Sequence, residues 1–477
     1  MGKIIPLFGV GISGKSPNIT AQRRLCAYYE FQKYEDKTKV SIIGTPGLTA
    51  PFVSIGDTPV RGMIAVGSLL YVVHRDTFYE VNNAGIKTSR GTLNTTTGKV
   101  GMATNGTQII VTDGTNGYFY TISTLTFAVI SDADYPDAAT TVTWQATYFM
   151  VENTNRFYIS AQNDGSSWDA LDFATAEAAP DALVRIIADH GEIVLFGSET
   201  TEFWGNTGAV DFPWANVQGS TLEIGLAAKW SLAKFDDSLA FLGKNRLGQV
   251  QVMRLNGYTA VPISDPELDH LINAYATTAD ATAFSYMLGG HPMYQINFPG
   301  AGKSWLYDSL ASAQAGTPVW SQLESGLSGG RHRAEIAVDF INKVRVSDYA
   351  TGDIYTIDPT VYTDNGTAIP FELISRHMTA EYDRLTVDRV FIDFEAGAGL
   401  ATGQGSNPQA MLQVSRDGGH SWGNEMWTTL GAIGEYKTRA EWRRFGTATD
   451  FVFKVRVTDP VKRVIAGAAL DAERGAS

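Results

Sequence analysis

Ser68-Leu-Leu-Tyr-Val-Val73 is one polar residue followed by five apolar ones, with Gly67 directly before it. A short apolar run rich in branched and aromatic side chains, bounded by turn residues, reads as a strand. The block returns at Thr107-Gln-Ile-Ile-Val-Thr112, Thr147-Tyr-Phe-Met-Val-Glu152, Glu192-Ile-Val-Leu-Phe-Gly197 and Ser238-Leu-Ala-Phe-Leu-Gly243. Two weaker copies are Pro292-Met-Tyr-Gln-Ile-Asn297 and Lys343-Val-Arg-Val-Ser-Asp348. Successive copies begin about 39 to 54 residues apart, near the length of one propeller blade.

Turn residues precede most copies: Asn105-Gly106, His190-Gly191, Asp236-Asp237 and Gly289-Gly290. An aromatic-rich second strand follows most of them, as in Thr77-Phe-Tyr-Glu-Val81, Gly117-Tyr-Phe-Tyr-Thr-Ile122, Arg156-Phe-Tyr-Ile159, Thr201-Glu-Phe-Trp204 and Asp353-Ile-Tyr-Thr-Ile357. Strand, tight turn and aromatic strand at this period suit radially packed four-stranded sheets. Unrelated hairpins in a sandwich are the plainer alternative. The expected fold is all-β: a six- or seven-bladed β-propeller inserted between N- and C-terminal flanks that form a β-sandwich or barrel platform.

Working outward, residues 1–55 form a turn-rich N-terminal arm, 56–360 the propeller and 361–477 the C-terminal sandwich or barrel. The C-terminal unit closes on Phe451-Val-Phe-Lys-Val-Arg-Val457, which alternates sharply between two faces. Few helices are expected. The best candidates are 174–189, where Pro180-Asp181 resembles a helix start and Leu183, Ile186 and Ile187 share a helical face, and the acidic stretch 265–272.

The composition sets bounds. The 477 residues are 44% hydrophobic and only 18% charged, with one cysteine, Cys26, so no internal disulfide or multi-cysteine metal site can form. No stretch approaches the roughly 20 apolar residues needed to span a bilayer. Pro6 and Gly9 interrupt the apolar start, which argues against a signal peptide. A net charge of −13 argues against a DNA-wrapping protein but not against a surface past which DNA slides.

Gly9-Val-Gly-Ile-Ser-Gly-Lys-Ser16 matches the G-x-x-x-x-G-K-S phosphate loop letter for letter. That loop cradles phosphates only where a strand feeds it and a helix leaves it. Here Pro17 follows at once and no amphipathic helix or alternating strand–helix pattern comes after, so Lys15 and Ser16 read as loop residues.

Ser415-Arg-Asp-Gly-Gly-His-Ser-Trp422 resembles the Asp-box of sialidases and other β proteins. Ser415, Asp417 and Gly419 are expected to close a hairpin turn with Trp422 packed beneath it. Gln162-Asn-Asp-Gly-Ser-Ser-Trp168 is a weaker cousin. Asp236, Asp237, Glu199 and Glu202 lie near strand ends, but no compact pair stands out as a glycosidase would require. The seven histidines show no metal-binding spacing. No catalytic residue, cofactor or metal is therefore expected.

Basic residues crowd the region from Lys437 to Arg463. Arg439, Arg443, Arg444, Lys454 and Arg456 are either a solvated strand face or a docking surface for an acidic partner or DNA.

Three ordered groups of residues carry a resemblance. The first is Gln22-Arg-Arg24, Tyr29-Glu30 and Thr45-Pro-Gly-Leu48. The second runs from Pro180-Asp181 through Glu199-Thr-Thr-Glu-Phe-Trp-Gly-Asn-Thr-Gly208, Phe212-Pro213 and Ile224-Gly225 to Leu239-Ala-Phe-Leu-Gly243. The third is the Ser415 turn, Leu430-Gly431, Gly434-Glu-Tyr436, Trp442-Arg-Arg-Phe-Gly446 and Thr458-Asp-Pro460. Together they resemble the tail hub, or nozzle, proteins of short-tailed bacteriophages, also known as packaged-DNA stabilization proteins.

The resemblance implies a non-enzymatic structural protein of the virion tail, assembled in the host cytoplasm. Six copies would ring the axis below the portal, extend the DNA channel, help retain packaged DNA and let it pass during ejection. The implied partners are other copies of the chain, the tail adaptor or head-to-tail connector, tail proteins such as a fibre or needle, and double-stranded DNA contacted without sequence specificity. An acidic wall would let phosphates pass without sticking. The competing reading is a carbohydrate-active propeller, sialidase-like or glycan-binding, which would converge paired carboxylates and arginines on the propeller axis.

Overall fold

The computed structural model describes residues 3–34, 37–176, 181–380 and 383–475. Pro180, part of both the expected helix start and the resemblance, lies outside them.

The repeated blocks are strands with both faces buried. In Gln108–Thr112, Ile109, Ile110 and Val111 are all fully enclosed. Ile109 and Val111 pack with Tyr71 and Val73 of the preceding block, while Ile110 packs with Phe149 and Val151 of the next. Successive strand side chains point to opposite sheet faces, so a blade held between two neighbours needs an unbroken apolar run.

The arrangement repeats around a ring. Seven meanders are counted among the described residues, and an apolar cluster lies between each consecutive pair. The last of these joins Leu70 and Val72 of the first meander to Phe340 and Ile354 of the last, closing the propeller. The last meander has strands Ala334–Phe340, Lys343–Asp348 and Asp353–Asp358. Its outer edge is covered from the other end of the chain, by Val53–Ser54 and Gly47–Leu48.

One expectation fails here. Residues 174–189 contain no helix among those described; they end the strand Asp164–Thr175 and form the strand Leu183–Asp189. Ile186 packs toward Met150 and Phe157, whereas Ile187 packs toward Phe203 and Leu239 on the opposite side. Two adjacent isoleucines needed in two different cores demand extended backbone. The helix Pro266–Asn273 does form, capped by the Asp265 carboxylate on the Leu268 N–H at 2.8 Å.

The sandwich is built from both ends of the chain. One sheet comprises Ala27–Tyr34, Lys37–Gly44, Val464–Arg474, Leu385–Phe394 and Ala440–Ala448, with Lys3–Pro6 beside Val464–Arg474. Phe371–Ile374, Asp450–Val457, Gln409–Ser415 and Met426–Thr429 form the facing sheet. Phe451, Phe453, Val455 and Val457 fill the space between them, as the alternation in the closing strand requires. The second sheet does not stop at the sandwich. Arg23–Leu25 pairs with Phe371–Ile374 on one side and with the propeller strand Trp320–Leu323 on the other, so one sheet runs through both units.

Candidate functional site

The phosphate-loop look-alike is a strap across the junction. No strand or helix occupies residues 7–22; a turn follows Ser16 and Lys15 is exposed. Leu7 is buried in the sandwich core and Ile12 among propeller side chains that include Leu268 and Trp320. With no helix N-terminus at Ser16, nothing gathers backbone amides around a phosphate.

The Ser415 turn holds that strap. Ser415 Oγ donates to Asp417 at 2.6 Å and accepts from the Gly419 N–H at 2.8 Å, and Asp417 also accepts from Ser421. The Ser415 and Ser421 hydroxyls hold the Asp417 carboxyl well below the ordinary range. His420 Nε2 lies 3.0 Å from the side-chain oxygen of Asn18 in the strap. Trp422, expected beneath the turn, is only partly enclosed. It is half-buried, with the Lys454 ammonium 4.4 Å from its ring centre. The cousin is different: Trp168 is 5% exposed and donates from Nε1 to the Gly165 carbonyl at 2.9 Å.

The basic cluster expected as one docking surface is divided between opposite faces. Arg439, directly before the strand Ala440–Ala448 of one sheet, pairs with Asp393 at 2.7 Å, and Arg443, within it, pairs with Glu441. Lys454 and Arg456 lie on the other sheet, outward from the core that Phe453, Val455 and Val457 enter. Arg444 is exposed at a bulge in the first sheet. Two strands adjacent in sequence but on facing sheets point their outer side chains in opposite directions.

The propeller axis gathers charge of another kind. All seven meanders contribute residues to a cavity of about 190 Å³, lined among others by Arg61, Lys99, Arg185, Trp230, Thr282 and Glu335. A wider recess of about 560 Å³ shares Arg61, Lys99 and Glu335 and adds Arg75 and Arg331. Among the described residues, Glu335 is the single carboxylate lining either space. Burial pushes its carboxyl up, but Lys99 at 2.6 Å and Arg331 at 2.7 Å outweigh burial and hold it below the ordinary range. Arg61 has all its donors on loop carbonyls and Thr95. Asp236, Asp237, Glu199 and Glu202 line neither space. Glu202 instead accepts from Trp204 Nε1 at 3.0 Å and Asn216 at 2.9 Å. No pair of carboxylates faces a substrate position on the axis, among the described residues.

The junction gives three arginines, Arg23, Arg24 and Arg463, a role that motif reading does not assign. Arg23 reaches Glu324 and Glu372 at 2.9 Å each and Gln322 at 3.1 Å, clamping propeller to sandwich. Arg24, 2% exposed, has no carboxylate partner among the described residues; it donates to Ser321 Oγ at 2.9 Å, Tyr29 Oη at 3.0 Å and the Trp320 carbonyl. Arg463, also buried, donates to the carbonyls of Ile369 at 2.9 Å and Thr45 at 3.3 Å. The detectable signal was a charge set inside an apolar strand context, as Arg463 is between Val461 and Val464.

What the fold and these contacts define is a propeller–sandwich protein whose charged groups mostly hold its parts together. The chain belongs to the bacteriophage P22 Gp10 family. Residues 41–362 match the family model described as Bacteriophage P22 Gp10, beta-propeller, and residues 370–473 that described as Bacteriophage P22 Gp10, beta-sandwich. The tail hub protein gp10 of Salmonella phage P22 is 25% identical over 333 residues, 64% of this chain and 64% of that protein, so the match spans less than two thirds of its length. Among solved structures, BamB from Moraxella catarrhalis shares 10% identity over 70% of this chain and 97% of that one, with a TM-score of 0.40. A chain of the Mitotic Checkpoint Complex shares 8% over 64% and 88%, with a TM-score of 0.39. Scores this low add nothing to the architecture read from the sheets.

Proposed function

We propose that this chain is a non-enzymatic structural component of a phage tail, a hub that extends the DNA channel below the portal and adaptor. In this role six copies form a ring, the sandwich and N-terminal arm build the platform, and the propeller projects from it. Packaged double-stranded DNA is retained behind the ring and passes through it at ejection, with no sequence read.

The observation that carries the reading is the single sheet joining propeller to sandwich through Arg23–Leu25, in a chain whose two units both match the phage family. A shared sheet clamped by Arg23 resists bending between the units, which suits a load-bearing wall. The acidic net charge of −13 suits a conduit to which phosphates do not adhere. The faces carrying Arg439 and Arg443, and Lys454 and Arg456, are then two separate contact surfaces for tail neighbours such as the adaptor.

Size-exclusion chromatography with light scattering tests this, run with and without the purified adaptor. The expected result is a complex containing six chains once the adaptor is present. A chain that stays monomeric with its adaptor, or that cleaves a sialoside, would overturn the proposal.

A further inference from the structure

The axial cavity is lined by two polar side chains whose hydrogen-bonding capacity the fold does not fully use. Thr282 is 4% exposed, lines the cavity, and its Oγ1 has no hydrogen-bond partner among the described residues. Arg185 lines the same cavity and donates from Nη1 to the carbonyls of Lys229 at 2.9 Å and Leu232 at 3.1 Å. Its Nε and Nη2 have no acceptor, and no carboxylate lies within ion-pair distance, among the described residues.

Trp230 brings these groups together. Its ring lies 5.4 Å from the Arg185 guanidinium, and its backbone bridges to Thr282. Burial lowers the guanidinium to about 10, which leaves it charged at neutral pH. The buried Glu152 carboxylate favours the charged form from beyond ion-pair distance but does not outweigh burial, so a direct anionic partner in the cavity would further stabilise the cation.

The wider surroundings have the same sign. Across the cavity and the recess outside it, Arg61, Arg75, Lys99, Arg185 and Arg331 face one carboxylate, Glu335. In a chain of net charge −13 this is a local reversal, and a recess with low-dielectric walls focuses the potential of such a cluster. Lys99 and Arg331 are already engaged by Glu335, Arg61 by carbonyls, and Arg75 lies in the outer recess 4.0 Å from Asp57, so the groups left in the cavity itself to meet a ligand are Arg185 and Thr282.

We propose that the propeller's axial cavity is an anion site, in which the Arg185 guanidinium and the Thr282 hydroxyl hold an oxyanion of the phosphate type. The Nε/Nη2 edge, left free by the two Nη1 bonds, offers parallel donors that suit phosphate oxygens, and a hydroxyl donor completes the contact. The ligand is either a free phosphate ion or a phosphate of a nucleic-acid strand entering from the recess. This site is independent of the tail-hub reading.

The test is thermal unfolding of the full chain against increasing inorganic phosphate, with chloride at matched ionic strength as control. A ligand bound only by the folded state raises the midpoint in proportion to the logarithm of its excess over Kd. Phosphate is expected to raise the midpoint more than chloride. Arg185→Gln weakens phosphate binding about tenfold or more, and Thr282→Val about two- to tenfold. Equal responses to phosphate and chloride would overturn the proposal, as would an unchanged phosphate Kd in folded Arg185→Gln. If Arg185→Gln does not fold, the near-isosteric Thr282→Val decides, and an unaltered phosphate response there overturns it. A short single-stranded oligonucleotide added to the wild type separates the sources: competition with phosphate assigns the site to a strand, and its absence to the free ion.

Discussion

His291 Nε2 lies 3.1 Å from a carboxylate oxygen of Glu30, so an imidazole of the propeller meets a carboxylate of the sandwich. Nδ1 of the same ring is 2.9 Å from Asp308, which also caps the helix Ser309–Ala315. The ring is 1% exposed, with Tyr28 edge-on at 5.6 Å. Asp308 first, against the opposing effect of burial and with Glu30 assisting, raises the imidazole above its ordinary 6.5. Protonated, it donates to both acids; neutral, it has one N–H and must turn a lone pair toward the other.

A folded-state value above the unfolded one means the contribution is complete below pH 6.5 and is lost as pH rises through the raised folded value. His291→Gln should therefore cost about 1.5–3 kcal/mol in mild acid, as for hydrogen bonds to charged groups, and progressively less toward alkaline pH. Thermal midpoints of wild type and variant across that range measure it. A gap that does not change with pH would show that the ring is neutral throughout.

Gly47 lies where the N-terminal arm closes the propeller. Its N–H donates to the Val361 carbonyl at 2.7 Å, and a Cβ added to it would sit 2.3 Å from the Thr363 carbonyl oxygen. Backbone on both sides cannot step aside as a flexible side chain would. Gly47→Ala should lower stability by about 1–3 kcal/mol, the usual cost of overpacking. Calorimetry and protease cleavage near residues 47–54 are the readouts; a wild-type midpoint would show that the two segments separate readily.

Two tryptophans from similar turns should behave differently. Trp168→Ala removes a buried ring and its bond to Gly165, and should cost about 3–5 kcal/mol. Trp422→Ala loses a half-buried ring under Lys454, for which about 1 kcal/mol is expected from the cation–π contact. Parallel denaturant titrations decide, and equal losses would contradict the burial difference.

Lys15 is an exposed residue of the strap. Lys15→Ala should shift stability by no more than about 0.5 kcal/mol, as surface changes do. Neither form should bind ATP in equilibrium dialysis; nucleotide retention by the wild type that the variant loses would restore the phosphate-loop reading.

The strands of the ring were legible because a blade enclosed on both faces writes itself as a continuous apolar run, as in Ile109-Ile110-Val111. The same rule misled at Ile186 and Ile187, where a helical face and two opposed strand faces use the same letters. The Ser415 turn was legible because its hydrogen bonds span two to four residues. The basic residues were individually visible, but which sheet each strand would join was not, so one apparent surface became two.

By itself, the order of residues determined the β character, the repeat and the local turns, since backbone preference and side-chain alternation act over a few positions. Only the tertiary structure decided that Arg23 would clamp Glu324 and Glu372, 301 and 349 residues away, that the arm would close the ring, and that Arg185 and Thr282 would line one cavity. Such partners are chosen by the packing of whole sheets, where loop closure over long separations is offset by buried area and charge pairing together, and no local window of sequence contains both sides of that balance.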